Sequence, residues 1–155
     1  MDSSQDFLSK DKLDQFIQIV HIGHLNKVFE WNGHQFEVRT LKIDEELAIG
    51  QIVKEYKETI TEEKAVAVAI AASCIVSING KNFMPNFDEK SSLQIIRDRF
   101  NYIRNNWHWP VIEKINTEYI DLLSDMYLTL EESQNLSMAD RKNLNFSSDP
   151  LIEQD

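Results

Sequence analysis

The chain has 155 residues, a length that fits one domain, and 42% of them are apolar, enough for a real core. Asp and Glu number 26 against 16 Lys and Arg, and the net charge of −10 argues against a nucleic-acid backbone or an anionic membrane as partner, because both need a basic footprint. Cys74 is the only cysteine, so no intrachain disulfide can form and a reducing cytosol is the expected setting.

Met1 to Gln5 are polar and read as unstructured. The start of the chain lacks a basic stretch followed by an apolar run, so neither a signal nor a transit peptide is expected. Leu13, Phe16, Ile17 and Val20 repeat at the spacing of an amphipathic helix, with Gly23 as its stop. Residues 1–26 are expected to form an N-terminal arm with this short helix, which is marginal alone and packs on the domain or on a partner.

Lys27 to Thr40 carries the clearest strand signal. KVFEW and HQFEVRT flank Asn32-Gly33, the preferred type I′ turn. The turn sets Phe29 opposite Phe36, Trp31 opposite His34 and Lys27 opposite Val38. Phe29, Trp31, Phe36 and Val38 then share an apolar face, and Glu30, Gln35, Glu37 and Arg39 a wet one. Such a hairpin needs a helix behind it or a third strand beside it. A helix follows from Asp44, its N-cap, to about Tyr56, with Ile49, Ile52, Val53 and Tyr56 turned inward.

Ala65 to Ile78, AVAVAIAASCIVSI, is apolar all round a helical wheel and must be buried. It falls short of the about 20 apolar residues that span a bilayer. It reads as the central helix, capped by Thr61, stapled by Ile60 against Ala65 and stopped at Asn79-Gly80. Its alanines let neighbouring elements come close. Asn82 to Asn86 reads as a loop. A further helix, Glu89 to Asn106, is striped by Leu93, Ile96, Phe100 and Ile103. The run Trp107-His108-Trp109 breaks it, and Pro110 opens a last helix to about Gln134. Ile112, Ile115, Tyr119, Leu122, Met126 and Leu130 form a narrow seam on that helix. The expected fold is mostly α (α+β): four to five helices around a buried Ala-rich helix, with one N-terminal β-hairpin. Residues 27–136 form the domain and 137–155 a flexible acidic tail.

No motif points to an enzyme. Gly23, Gly33, Gly50 and Gly80 are scattered, and no Gly-rich loop opens a helix. His21 and His24, with His34 or Cys74, match no standard zinc spacing and read as ordinary polar positions. A buried Cys74 lacks the electropositive, accessible setting of a nucleophile. No catalytic, cofactor or metal site is expected. Arg97, Arg99 and Arg104 serve intrachain or interface ion pairs. Trp107 and Trp109 either cap the helix junction or anchor a partner, since Trp is enriched at interface hot spots. Met126 and Leu130, near the end of the last helix, and the hairpin aromatics Phe29 and Trp31 complete the candidate partner-binding residues. A Met-bearing helix end adapts to varied partners.

The order of these elements resembles the tail assembly chaperones of long-tailed bacteriophages. The likeness covers roughly Lys27 to Glu132: VFEWNGHQFEVRTLK, then IDEELAIGQIV, then IAASCIVSINGK, then a helix before the Trp/Pro break, then VIEKINTEYIDLLSDMYLTLEE. It implies a mostly helical, non-enzymatic protein of the infected host's cytoplasm. It would bind the tape measure protein and tail tube protein before tail polymerisation and be absent from the finished virion. Many such proteins also have a longer, frameshifted form. The alternative from a different class is a structural tail or baseplate component retained in the virion. A homo-oligomer fits either, and neither needs nucleic acid or membrane.

Overall fold

The computed structural model describes residues 14, 15, 17, 19, 20, 23–84 and 90–134. Within them a four-stranded antiparallel sheet packs against helices. Strand β1 is Asn26–Trp31, β2 His34–Arg39, β3 Ile75–Ile78 and β4 Lys81–Asn82, in the spatial order β1-β2-β3-β4. The helices are α1 (Ile43–Val53), continued by a 3-10 turn at Lys54–Tyr56, α2 (Glu62–Cys74), α3 (Ser92–Asn106) and α4 (Trp109–Gln134). The fold is α+β and mostly helical, and none of these helices is long and apolar enough to cross a membrane.

The first hairpin has the register that its turn dictates, with Phe29 on Phe36, Trp31 on His34 and Lys27 on Val38. Asn32 and Gly33 take φ of 50° and 76°, the left-handed pair that a type I′ turn requires. The Phe29 and Phe36 rings stack at 5.3 Å. Helix α4 covers this face. Glu118 of α4 accepts from Lys27 of β1 and from Lys114, both at 2.6 Å, and its side chain is only 13% exposed.

The apolar run Ala65–Ile78 is not one helix. It turns from helix to strand at Ile75, whose φ and ψ are −72° and 126°. Periodicity cannot separate a short buried strand from a buried helix. Here β-branched Ile75 and Ile78 pair with Val38 and Phe36 of β2, which needs a partner on its second edge, and Val76 falls at an irregularity between the pairs. Asn79-Gly80 then repeats the chemistry of Asn32-Gly33, with φ of 51° and 75°, and turns β3 into β4. The hairpin of the sequence reading is thus half of a sheet. Asn79 locks the two turns together: its N–H donates to the Gln35 carbonyl at 2.7 Å, and its Oδ1 accepts from the Gln35 N–H at 2.9 Å.

Several helix ends depart from expectation. Asp44 lies inside the first turn of α1, and Lys42 is the N-cap. The Lys42 N–H donates to Glu45, the carboxylate three residues on. Ile60 is fully exposed and staples nothing. Thr61 is the N-cap of α2, but its hydroxyl lies 3.0 Å from that of Thr59 instead of bonding the helix. Helix α3 starts at Ser92 behind Ser91, whose Oγ accepts from the Gln94 N–H. Near the N-terminus Ile17 is half-buried, as its place in the expected stripe requires, and so is Ile19, while Val20, expected to face inward, is 50% exposed. Gly23 ends this segment with a positive φ and an N–H bond to Ile19. Met1 to Gln5, Leu13, Phe16, Asn86, Glu89 and the tail 137–155 lie outside the described residues.

Helix α2 is the centre of the packing. Ala69, Ala71, Ala72 and Cys74 have no exposed surface. Its small side chains let α4 approach closely enough for Asn116 to donate to the Ala67 carbonyl at 2.9 Å. Ala69→Glu is expected to abolish cooperative thermal unfolding, because it forces volume and an unpaired charge into this contact. A melting temperature within a few degrees of the parent would show that α2 is not central.

Candidate functional site

Of the six candidate residues, Trp107 and Trp109 flank the junction of α3 and α4, and both are half-buried. The Trp107 N–H closes α3 on the Ile103 carbonyl at 2.9 Å. Its ring lies 5.3 Å from buried Phe83, which also meets Tyr102 at 6.0 Å. The Trp109 ring points to the start of α2, with the Lys64 ammonium 5.0 Å from its centre. The two indoles therefore serve different neighbours.

Phe29 and Trp31 are half-buried on the core side of β1, and Lys114 of α4 lies 5.8 Å from the Phe29 ring centre. Met126 and Leu130 are also half-buried. Between them Thr129 is fully buried and donates to Gln15 of the N-terminal segment at 3.2 Å. That side of α4 is thus shared with the beginning of the same chain. The large apolar groups that α4 does expose are Ile120 (58%), Tyr127 (63%) and Leu128 (50%). They were not candidates, because a narrow seam drew attention to the opposite face. Around them stand Glu113, Asp121, Asp125, Glu131 and Glu132, all exposed.

A second feature escaped the sequence reading, a cavity of about 560 Å³ bordered by His24, Arg39, Glu45, Ser73, Ser92 and Arg99 among others. Arg39 and Glu45 form a two-pronged ion pair, with Nη1 2.9 Å from Oε2 and Nη2 on Oε1. Burial pushes the Glu45 carboxyl up. The Arg39 hydrogen bond and the Lys42 N–H outweigh it and hold the carboxyl below its usual range. His24 Nδ1 lies 3.1 Å from Arg39 Nη1, from which it can accept only as the neutral imidazole, and 3.2 Å from the Thr40 carbonyl, to which it can only donate. Burial and then the Arg39 charge lower the His24 pKa, outweighing the Thr40 carbonyl, which favours the protonated ring. Arg99 donates to the carbonyls of Ala72 (3.5 Å), Ile75 (3.3 Å), Phe83 (3.0 Å) and Met84 (3.4 Å). It thereby supplies donors to carbonyls that the end of α2 leaves open. Its neighbours divide between an ion pair, Arg97 to Glu55 at 3.1 Å, and a hydrogen bond, Arg104 to the Tyr56 hydroxyl at 3.0 Å.

The Nη groups of Arg39 and Arg99 around this cavity are thus engaged with protein groups. Burial pushes the Cys74 thiol up to about 12, so it stays protonated and unreactive at neutral pH. Among the described residues no three His, Cys, Asp or Glu side chains come together to hold a metal. His34 bonds Asn79 at 3.0 Å, His24 faces Arg39, and His21 lies outside the described residues. Compared with family models, with curated proteins and with solved structures, the chain matches none.

Two outcomes are expected. Arg99→Ala should lower stability by about 3 kcal/mol in denaturant unfolding, since it strips a charged donor from several part-buried carbonyls. Arg99→Lys should recover only part of that, because one ammonium cannot reach the same set. Stability should also fall on acidification in two stages. His24 is held neutral in the fold, so the unfolded chain takes the proton first and stability declines from about pH 6.5 downward. Glu45 has a depressed folded pKa, so its contribution is intact above the ordinary carboxylate range and is lost as pH drops through it. His24→Gln should flatten the upper stage and Glu45→Gln the lower one, both read from denaturant midpoints against pH.

Proposed function

We propose that this protein is a non-enzymatic tail assembly chaperone of a long-tailed bacteriophage. It holds the tape measure protein and tail tube subunits in the host cytoplasm before the tail polymerises. The observation that carries the reading is the outer face of α4, where Ile120, Tyr127 and Leu128 stay exposed among carboxylates. A helical client with an unpaired apolar face needs such a surface and needs no chemistry from its holder. The chain order supports the same reading. The Asn-Gly hairpin leads through the acidic helix α1 and the Ala-rich helix to the Trp/Pro break and the long last helix, the order on which the resemblance rests.

The test is a tagged pull-down from infected cells, with the same protein quantified in purified virions. The expected result is capture of the tape measure or tail tube protein and absence from virions. Presence in virions at a fixed copy number would replace this reading with that of a structural tail component.

A further inference from the structure

The last turns of α4 are covered by the beginning of the chain. Along the first half of α4, Ile112, Ile115, Tyr119 and Leu122 all belong to the buried core. Beyond Leu122 the helix runs on to Gln134, about three more turns. There Thr129 is fully buried, and Met126 and Leu130 on either side of it are half-buried. The Thr129 hydroxyl donates to Gln15 Oε1 at 3.2 Å, across 114 residues of sequence. The described residues about Gln15, namely 14, 17, 19 and 20, are helical. Ile19 falls one turn after Gln15 on the same side and packs against the core cluster. A short helix of the same chain thus occupies this place.

Three observations mark that cover as loosely held. Thr129 has one proton to share, and its bond to the Asp125 carbonyl in its own helix is the shorter one, 2.8 Å, so departure of Gln15 strands no buried donor. The segment is seated on one side only, since Asp14 is exposed and Val20 is 50% exposed, and so short a helix is marginal in water by itself. It joins β1 through Gly23, whose φ of 78° costs glycine nothing and whose rotation can swing the segment away.

We propose that the inner side of these last turns is a docking site for an amphipathic helix of a partner, covered in the free protein by the chain's own N-terminal segment, which the partner helix displaces. The resident segment defines what fits: a helix with an aliphatic residue one turn from a side-chain amide that meets Thr129. Met126 gives the site a wall that adapts to the incoming side chains. Because the cover is tethered, it competes at high effective concentration, and a partner helix binds only as tightly as the open fraction allows. In exchange, the apolar seam is not left bare while no partner is present. The site lies on the opposite side of α4 from Ile120, Tyr127 and Leu128 and does not rest on the chaperone reading.

The test uses the full chain and two readouts. Thr129→Cys places a thiol beneath the segment, and Cys74, fully buried, reports unfolding of the whole domain. With a small thiol reagent in the absence of denaturant, the introduced thiol should react at least about a hundredfold faster than Cys74, because lifting the segment costs less than unfolding the domain. The second readout is fluorescence anisotropy of a labelled peptide copying residues 10–22. The peptide should bind the parent weakly. It should bind Ile17→Pro at least about tenfold more tightly, because proline breaks the resident helix and removes the tethered competitor. Leu130→Lys should weaken the peptide on both backgrounds. The proposal is overturned if the introduced thiol reacts no faster than Cys74, or if Ile17→Pro leaves the peptide's affinity unchanged. Loss of cooperative unfolding in Ile17→Pro would make the segment a part of the domain and overturn it too. A concentration-dependent dimer that vanishes in Ile17→Pro would give the place to a second copy's segment and overturn partner docking.

Discussion

A helix of small side chains can be surrounded only if its neighbours come almost to its backbone, and this is the constraint on which the molecule depends. The alanines of α2 contribute little apolar area of their own. Their value is the room they leave, which Ile103, Ile115 and Leu122 of the flanking helices occupy as core. Close approach brings polar backbone within reach, and the fold uses it: Asn116 of α4 bonds a carbonyl in the middle of α2. At the C-terminal end the helix must also become a strand without leaving open carbonyls in a dry environment. Arg99 resolves that by spreading one guanidinium over the carbonyls of Ala72, Ile75, Phe83 and Met84. The sheet, the loop after β4 and helix α3 therefore meet at one cation.

What the sequence makes legible is what local physics decides. Asn32-Gly33 admits essentially one turn, and that turn sets the whole register of β1 and β2. The stripes of α1, α3 and α4 follow from helical period, and the Trp-His-Trp-Pro run marks a real break between two helices. Illegible features are those decided at long range. The switch at Ile75 depends on the free edge of β2, forty residues earlier in the chain. Asn79-Gly80 has the same turn chemistry as the first hairpin, yet a stop after a long apolar run hides the strand in front of it. Arg39 alternates with residues of the wet face, and only the position of α1 turns it into the half-buried partner of Glu45. The candidate binding residues show the same limit. Aromatic density located the helix junction, but which side of each indole is covered depends on Phe83 and Lys64, distant in sequence.

Charge restricts what the outer face of α4 can meet. The carboxylates on the outer face of α4 form no ion pair among the described residues, so two copies of it repel each other, and a chain of net charge −10 strengthens that effect. An apolar stripe in such a setting is protected against its own kind and open to a partner that brings positive charge or is neutral.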